Sequence, residues 1–133
     1  MHSCGTRFRN LTAAAFMPLA IISPAVAVPI GDMLGRWSAD GLKDCANAEN
    51  TEGAPLQVAR DDYGTHIGNY GWLCSVKTWA EDGVLLKGSA TCASEGGGDD
   101  DTSTLRLGLT NDDQLLLIDD NGIALYARCG GAH

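Results

Sequence analysis

The sequence predicts an all-β fold: a small antiparallel up-and-down β-barrel of about eight short strands, with a two-layer β-sandwich as the competing arrangement, stapled by two disulfides. Three observations carry that expectation. Leu105, Leu107 and Leu109 alternate with Thr104, Arg106 and Gly108, the period of a strand with one buried face. Turn signals separate the apolar runs, from Asp61-Asp62 through Asn111-Asp112-Asp113 to Asn121-Gly122, the strongest two-residue hairpin signal. No segment carries the period of a long amphipathic helix. Closure is favoured over the sandwich because it removes the exposed edges of an open meander.

The chain has 133 residues, and residues 1–27 read as a secretory signal peptide. Arg7 and Arg9 form a basic start, residues 11–22 an apolar stretch, and Ala25-Val26-Ala27 a small-residue cleavage motif. Cleavage leaves one domain, 28–133, with no membrane anchor. Cys4 precedes the apolar stretch, the wrong side for lipid attachment.

Within the domain, Gly35-Arg36-Trp37-Ser38 begins the first strand, and Asp40 is expected to cap a short helical turn around residues 42–48. Leu56 and Val58 alternate with Gln57 and Ala59 in a strand stopped by Asp61-Asp62. Residues 65–69 add a short strand between glycines. Residues 73–79 and 84–93 form a hairpin around the turn signal Glu81-Asp82-Gly83. After the leucine strand, Asn111-Asp112-Asp113 turns the chain into residues 114–119, whose Leu115-Leu116-Leu117-Ile118 is apolar on both faces. Asp120-Asn121-Gly122 then leads into the last strand, 123–129. Strands this short leave an eight-stranded barrel mostly filled by side chains, so function is expected on loops and the outer surface.

Four cysteines remain in the domain: Cys45, Cys74, Cys92 and Cys129. An even set in a small exported domain reads as a disulfide framework, and the close ligand pairs of a metal site are missing. A hairpin folded about position 83 sets Cys74 opposite Cys92 within disulfide range. Elimination pairs Cys45 with Cys129. Trp37 is expected in the core beside that second bridge.

Charge narrows the function. The whole chain carries −8; without residues 1–27 it has seven basic against seventeen acidic residues, a net charge of −10. That sign opposes phosphate neutralisation, so nucleic acid is excluded as a partner. Catalytic constellations are scarce and no catalytic residue, cofactor or metal is assigned. A serine or cysteine nucleophile would have to use His66, since the only other histidine of the domain is the terminal His133. The paired aspartates sit in turns, where Asp bonds its own backbone.

Two segments are candidate binding surfaces. Residues 94–102 join a triple glycine to Asp99, Asp100 and Asp101, an acidic recognition loop for a cationic partner. Their spacing does not fit an EF-hand calcium loop. Residues 62–72 mix Tyr63, Thr65, His66 and Tyr70 with glycines, the composition of an adaptable binding loop. Trp72 and Trp79 are secondary interface candidates.

The layout of signal segment, Gly35-x-Trp37, Cys45, Cys74, Cys92, Leu115-Leu116-Leu117 and Tyr126-x-Arg128-Cys129 resembles PhiA-type periplasmic inhibitors of lysozyme and other peptidoglycan hydrolases in Gram-negative bacteria. The resemblance spans most of the domain. It implies a periplasmic protein, an inhibitor and not an enzyme, that blocks lysozyme or an endogenous wall hydrolase and so protects the cell wall. Periplasmic C-type lysozyme inhibitors are also small antiparallel barrels, but their Ser-Gly-containing and Tyr…Thr-Lys-Gly motifs are not recognisable here. Lys87-Gly88-Ser89 falls in a predicted strand, so no inhibitory residue carries over. Animal-type lysozymes are strongly basic, and a partner at −10 would be steered to them. A small-molecule or ion-binding barrel and an envelope structural or assembly protein are the alternative classes.

Overall fold

In the computed structural model, which describes residues 26–49 and 51–130, successive strands pair in order, apart from one short extra strand that the ladder bypasses, and the first meets the last. The strands are β1 (Gly35–Ser38), β2 (Leu56–Asp61), β3 (Gly64–Asn69), β4 (Trp72–Val76), β5 (Ala80–Asp82), β6 (Leu85–Ser94), β7 (Asp101–Leu109), β8 (Gln114–Asp119) and β9 (Gly122–Arg128). All pairings are antiparallel. Eight strands close an up-and-down barrel, and β5 is one extra strand beside β6. The segment expected to be a signal peptide, residues 1–27, lies outside the described residues except for Val26 and Ala27, and so does His133. Among the described residues no helix is long and apolar enough to cross a membrane.

The leucine alternation becomes β7, with Leu105 and Leu107 buried inward. Leu115 and Leu117 of β8 do the same, while Leu116 and Ile118 are only half-buried on the other face. Trp37, Leu56, Val58, Ile67 and Val76 complete the interior from the other side of the barrel. Both disulfides form as the spacing requires. Cys74 and Cys92 are direct cross-strand partners with Cα atoms 4.0 Å apart, and Cys45 and Cys129 join with Cα atoms 5.5 Å apart. Asp44 lies within ligand distance of Cys45 and Cys129, but both sulfurs are spent on the bond and offer no thiolate to a metal.

Three local expectations are corrected. Asp40 does not cap the turn after β1: the buried Ser38 Oγ accepts the N–H groups of Asp40 (3.2 Å) and Leu42 (3.0 Å), and the turn is a 3-10 segment, Lys43–Ala46. A nearer buried hydroxyl satisfies the loop amides. The hairpin reverses at Gly83-Val84, while Glu81 and Asp82 belong to β5. Its two halves differ in register by one residue, Val76 facing Ala90 but Ala80 facing Lys87, so 77–79 bulge opposite Gly88-Ser89. A Cβ at Gly88 would collide with Val76 Cγ1 and press on the Trp79 ring, which explains glycine inside a strand. Finally, side chains fill the barrel only part of the way along its axis.

One end, the base, is plugged. The 3-10 turn Ile30–Met33 crosses it with Met33 fully buried and Ala27 packed against the same core. Trp37 Nε1 donates to the Met33 carbonyl at 2.9 Å, anchoring the plug to β1. No periodicity marks so short a segment, and the sequence reading missed it. The opposite end, with the β3–β4, β6–β7 and β8–β9 connections, is open.

Candidate functional site

Strand alternation continues to the open end but changes chemistry there. The inward positions of β7, followed from core to mouth, read Leu107, Leu105, Ser103, Asp101; those of β8 read Leu115, Leu117, Asp119. Apolar residues thus line the deep part and carboxylates the rim. Between them lies an open cavity of about 710 Å³. Leu105 and Leu117 lie at its floor, and the Cys74–Cys92 bridge, Trp72 and Tyr126 line its wall. Ser103 Oγ donates to Asp120 Oδ2 at 3.3 Å. Asp119 Oδ1 accepts the N–H groups of Asn121 (2.8 Å) and Gly122 (3.1 Å), fixing the β8–β9 turn. Burial raises the Tyr126 phenol above its ordinary pKa, and the charge of Asp119 adds to the effect.

The rim is uniformly acidic. Glu95, Asp99 and Asp100 lie in the β6–β7 connection and Asp101 opens β7, while Asp119 ends β8 and Asp120 begins the β8–β9 turn. No lysine or arginine occurs in 88–105 or 107–127. The nearest basic residues in sequence lie further down the barrel and are paired: Arg106 of β7 with Asp82 at 3.0 Å, and Arg128 at the end of β9 with Asp113 at 2.9 Å.

The residues singled out from sequence separate into four places. Asp99, Asp100 and Asp101 are exposed at the open end, and Tyr70 joins them, because the Glu95 N–H donates to the Gly71 carbonyl at 2.7 Å and ties the two connections together. Tyr63 is 82% exposed at the plugged end, at the opposite tip of β3 from Tyr70. Thr65 faces inward and is buried, accepting a hydrogen bond from Trp79 Nε1 at 3.0 Å, so it presents nothing to a partner. The segment 62–72 is therefore a strand with turns at both ends and not one continuous loop.

His66 is on the outer face of β3 and belongs to a constellation invisible in the sequence. Its Nε2 meets Asp61 Oδ2 and its Nδ1 meets Ser75 Oγ, both at 2.9 Å. The pairing of β3 with β2 and β4 aligns them, His66 lying opposite Ser75. The His66 hydrogen bond, with the Tyr63 N–H second, holds the Asp61 carboxyl below its ordinary pKa. This is the acid–imidazole–hydroxyl order of a nucleophilic relay. Ser75, however, sits in a strand paired on both sides, whose N–H groups are spent on the ladder and form no oxyanion cradle. The chain is well suited to hold three strands in register. Beside it, a shallow cleft of about 150 Å³ runs past Arg36, Gln57 and Tyr70.

The chain matches no family model, and no curated protein or solved structure is similar to it. The class defined by fold and site is a disulfide-stapled up-and-down β-barrel, plugged at one end and open and acidic at the other.

Proposed function

We propose that the protein is a periplasmic inhibitor that docks its acidic open end onto a cationic partner, a lysozyme or endogenous peptidoglycan hydrolase, and blocks it. One observation carries the reading: six carboxylates from two connections converge on one end of the barrel with no lysine or arginine between them. Such a single-sign surface steers a basic protein into encounter and orients it. Tyr70, 46% exposed beside the acidic loop, supplies an aromatic contact of the kind that anchors interfaces. The likeness of the cysteine and tryptophan layout to PhiA-type inhibitors names the target class. Two disulfides suit a protein that persists in an oxidising envelope compartment.

The test is lysis of a peptidoglycan suspension by lysozyme, titrated with the oxidised protein. Inhibition should saturate near one equivalent and weaken with salt. The double variant Asp99→Asn/Asp100→Asn should weaken it about tenfold, chiefly through slower association. Full activity of lysozyme and of basic endogenous wall hydrolases at large molar excess and low salt would sink the proposal.

A further inference from the structure

The cavity inside the open end has a chemistry of its own, distinct from the surface around it. Its volume of about 710 Å³ falls in the range of small-molecule sites. Its polarity is graded along the barrel axis. Leu105 and Leu117 at the floor are nearly inaccessible, and the inward-facing Asp101 and Asp119 stand above them at the rim. No basic residue lines it. Trp72, at the mouth end of β4, and Tyr126, paired with Leu115 deeper in the barrel, also line it.

That gradient selects its occupant. An anion would meet three carboxylates and no basic side chain. A polyamine would drive a second charge onto the apolar floor, where desolvation opposes it. A lysine or arginine side chain entering from a docked protein has the wrong polarity, since its charge leads and its aliphatic stem trails. We propose that the mouth binds a small organic monocation with an apolar body, an alkyl- or arylalkyl-ammonium, inserted apolar end first. The hydrocarbon enters the space beside the Cys74–Cys92 bridge and Ala124, with Leu105 and Leu117 closing the floor, and the ammonium stays at the mouth in the field of Asp101 and Asp119. Trp72 stands at the mouth, where cation–π attraction adds to the carboxylates' pull, and Tyr126 lines the deeper wall against the apolar body.

This goes beyond the inhibitor reading and is tested without a hydrolase, so either can fail alone. Calorimetry and tryptophan fluorescence would follow titration of the oxidised protein with three probes of one shape: 2-phenylethylammonium, 2-phenylethanol and 3-phenylpropionate. The expected result is one-to-one binding of the cation, at least tenfold tighter than the alcohol, with no binding of the carboxylate and a preference that shrinks with salt. Asp119→Asn keeps the Oδ1 acceptor of the turn and should lose most of the preference; Asp101→Asn, exposed at the head of β7, should do the same should the first variant misfold. Ala124→Trp, which fills the mouth, should abolish binding while the circular dichroism of the barrel is retained. Equal affinity for ammonium and alcohol, no binding of either, or binding undiminished in a folded Ala124→Trp protein would overturn the proposal.

Discussion

Arg128 shows how much one side chain holds together. Its guanidinium lies 4.2 Å from the centroid of the Trp37 ring, donates to both carboxylate oxygens of Asp113 at 2.9 and 3.0 Å, and donates to the Asp32 carbonyl at 3.0 Å. Strand β9, the β7–β8 turn, the core tryptophan and the plug meet there. The Arg128 bond holds the Asp113 carboxyl below its ordinary value of 3.8. Because the folded pKa is depressed, the stabilisation is fully present above that value and is lost as pH falls through the folded pKa. Thermal melting of wild type and Asp113→Asn should therefore differ at neutral pH and converge as the pH drops below about 3.8, the wild type losing more; parallel curves down to acid would refute the coupling. The sequence identified Asp112-Asp113 as a turn but gave no sign of this partner, because only the return of β9 beside β8 brings residue 128 to 113. The same limit hid Ser75 from His66 and let Thr65 pass for a surface residue. Composition tells what a residue offers, while strand parity decides which way it faces.

At the scale of elements, the pairings are unequal. Strands β6 and β7 share seven register pairs, whereas β1 and β9, which close the barrel, share two. This shortest ladder joins the most distant parts of the chain. The Cys45–Cys129 bridge, with 84 residues of separation, lies directly beyond it, and the Cys129 N–H donates to the Arg36 carbonyl at 2.9 Å. Loop-closure entropy gives such a bridge about 4.5 kcal/mol, against about 3 kcal/mol for the 18-residue Cys74–Cys92 loop. Cys45→Ala/Cys129→Ala should thus cost more in urea denaturation than Cys74→Ala/Cys92→Ala, and should open amide exchange in β1 and β9 while β6–β8 stay protected. Uniform loss of protection would show that the closing seam is not the weak one. Strand positions were legible because alternation and turn residues agree, most clearly at 105–109 and Asn121-Gly122. The bulge at 77–79 was not: it follows from packing the Trp79 ring over Gly88, a contact between neighbouring strands that spacing alone does not encode.

For the whole molecule, strand number and cysteine parity were enough to point to a stapled barrel. What they did not reveal is its axial asymmetry. The alternation of Leu105 and Leu107, extended backwards, already puts Ser103 and Asp101 on the inner face, and this is the signal by which the mouth could have been found. The plug carries no such mark, because one 3-10 turn has no period to detect. It is nonetheless part of the core. Met33→Ala would empty the base of the barrel and should lower stability by about 2–5 kcal/mol in denaturant titration. A loss below about 1 kcal/mol would mean that the plug adds little to the core.

The meeting of β1 with β9 also fixes an order of events. A chain made from its amino terminus has the plug, Trp37 and Cys45 in hand long before their partners exist, since Arg128 and Cys129 come last. Consecutive hairpins from β2 onward can form as they emerge, but the ring has no closing partner for β1 until the final strand is complete. Throughout that interval Trp37 and the edge of β1 stay uncovered and Cys45 stays without its disulfide partner, so the growing molecule is open to mispairing until β9 arrives.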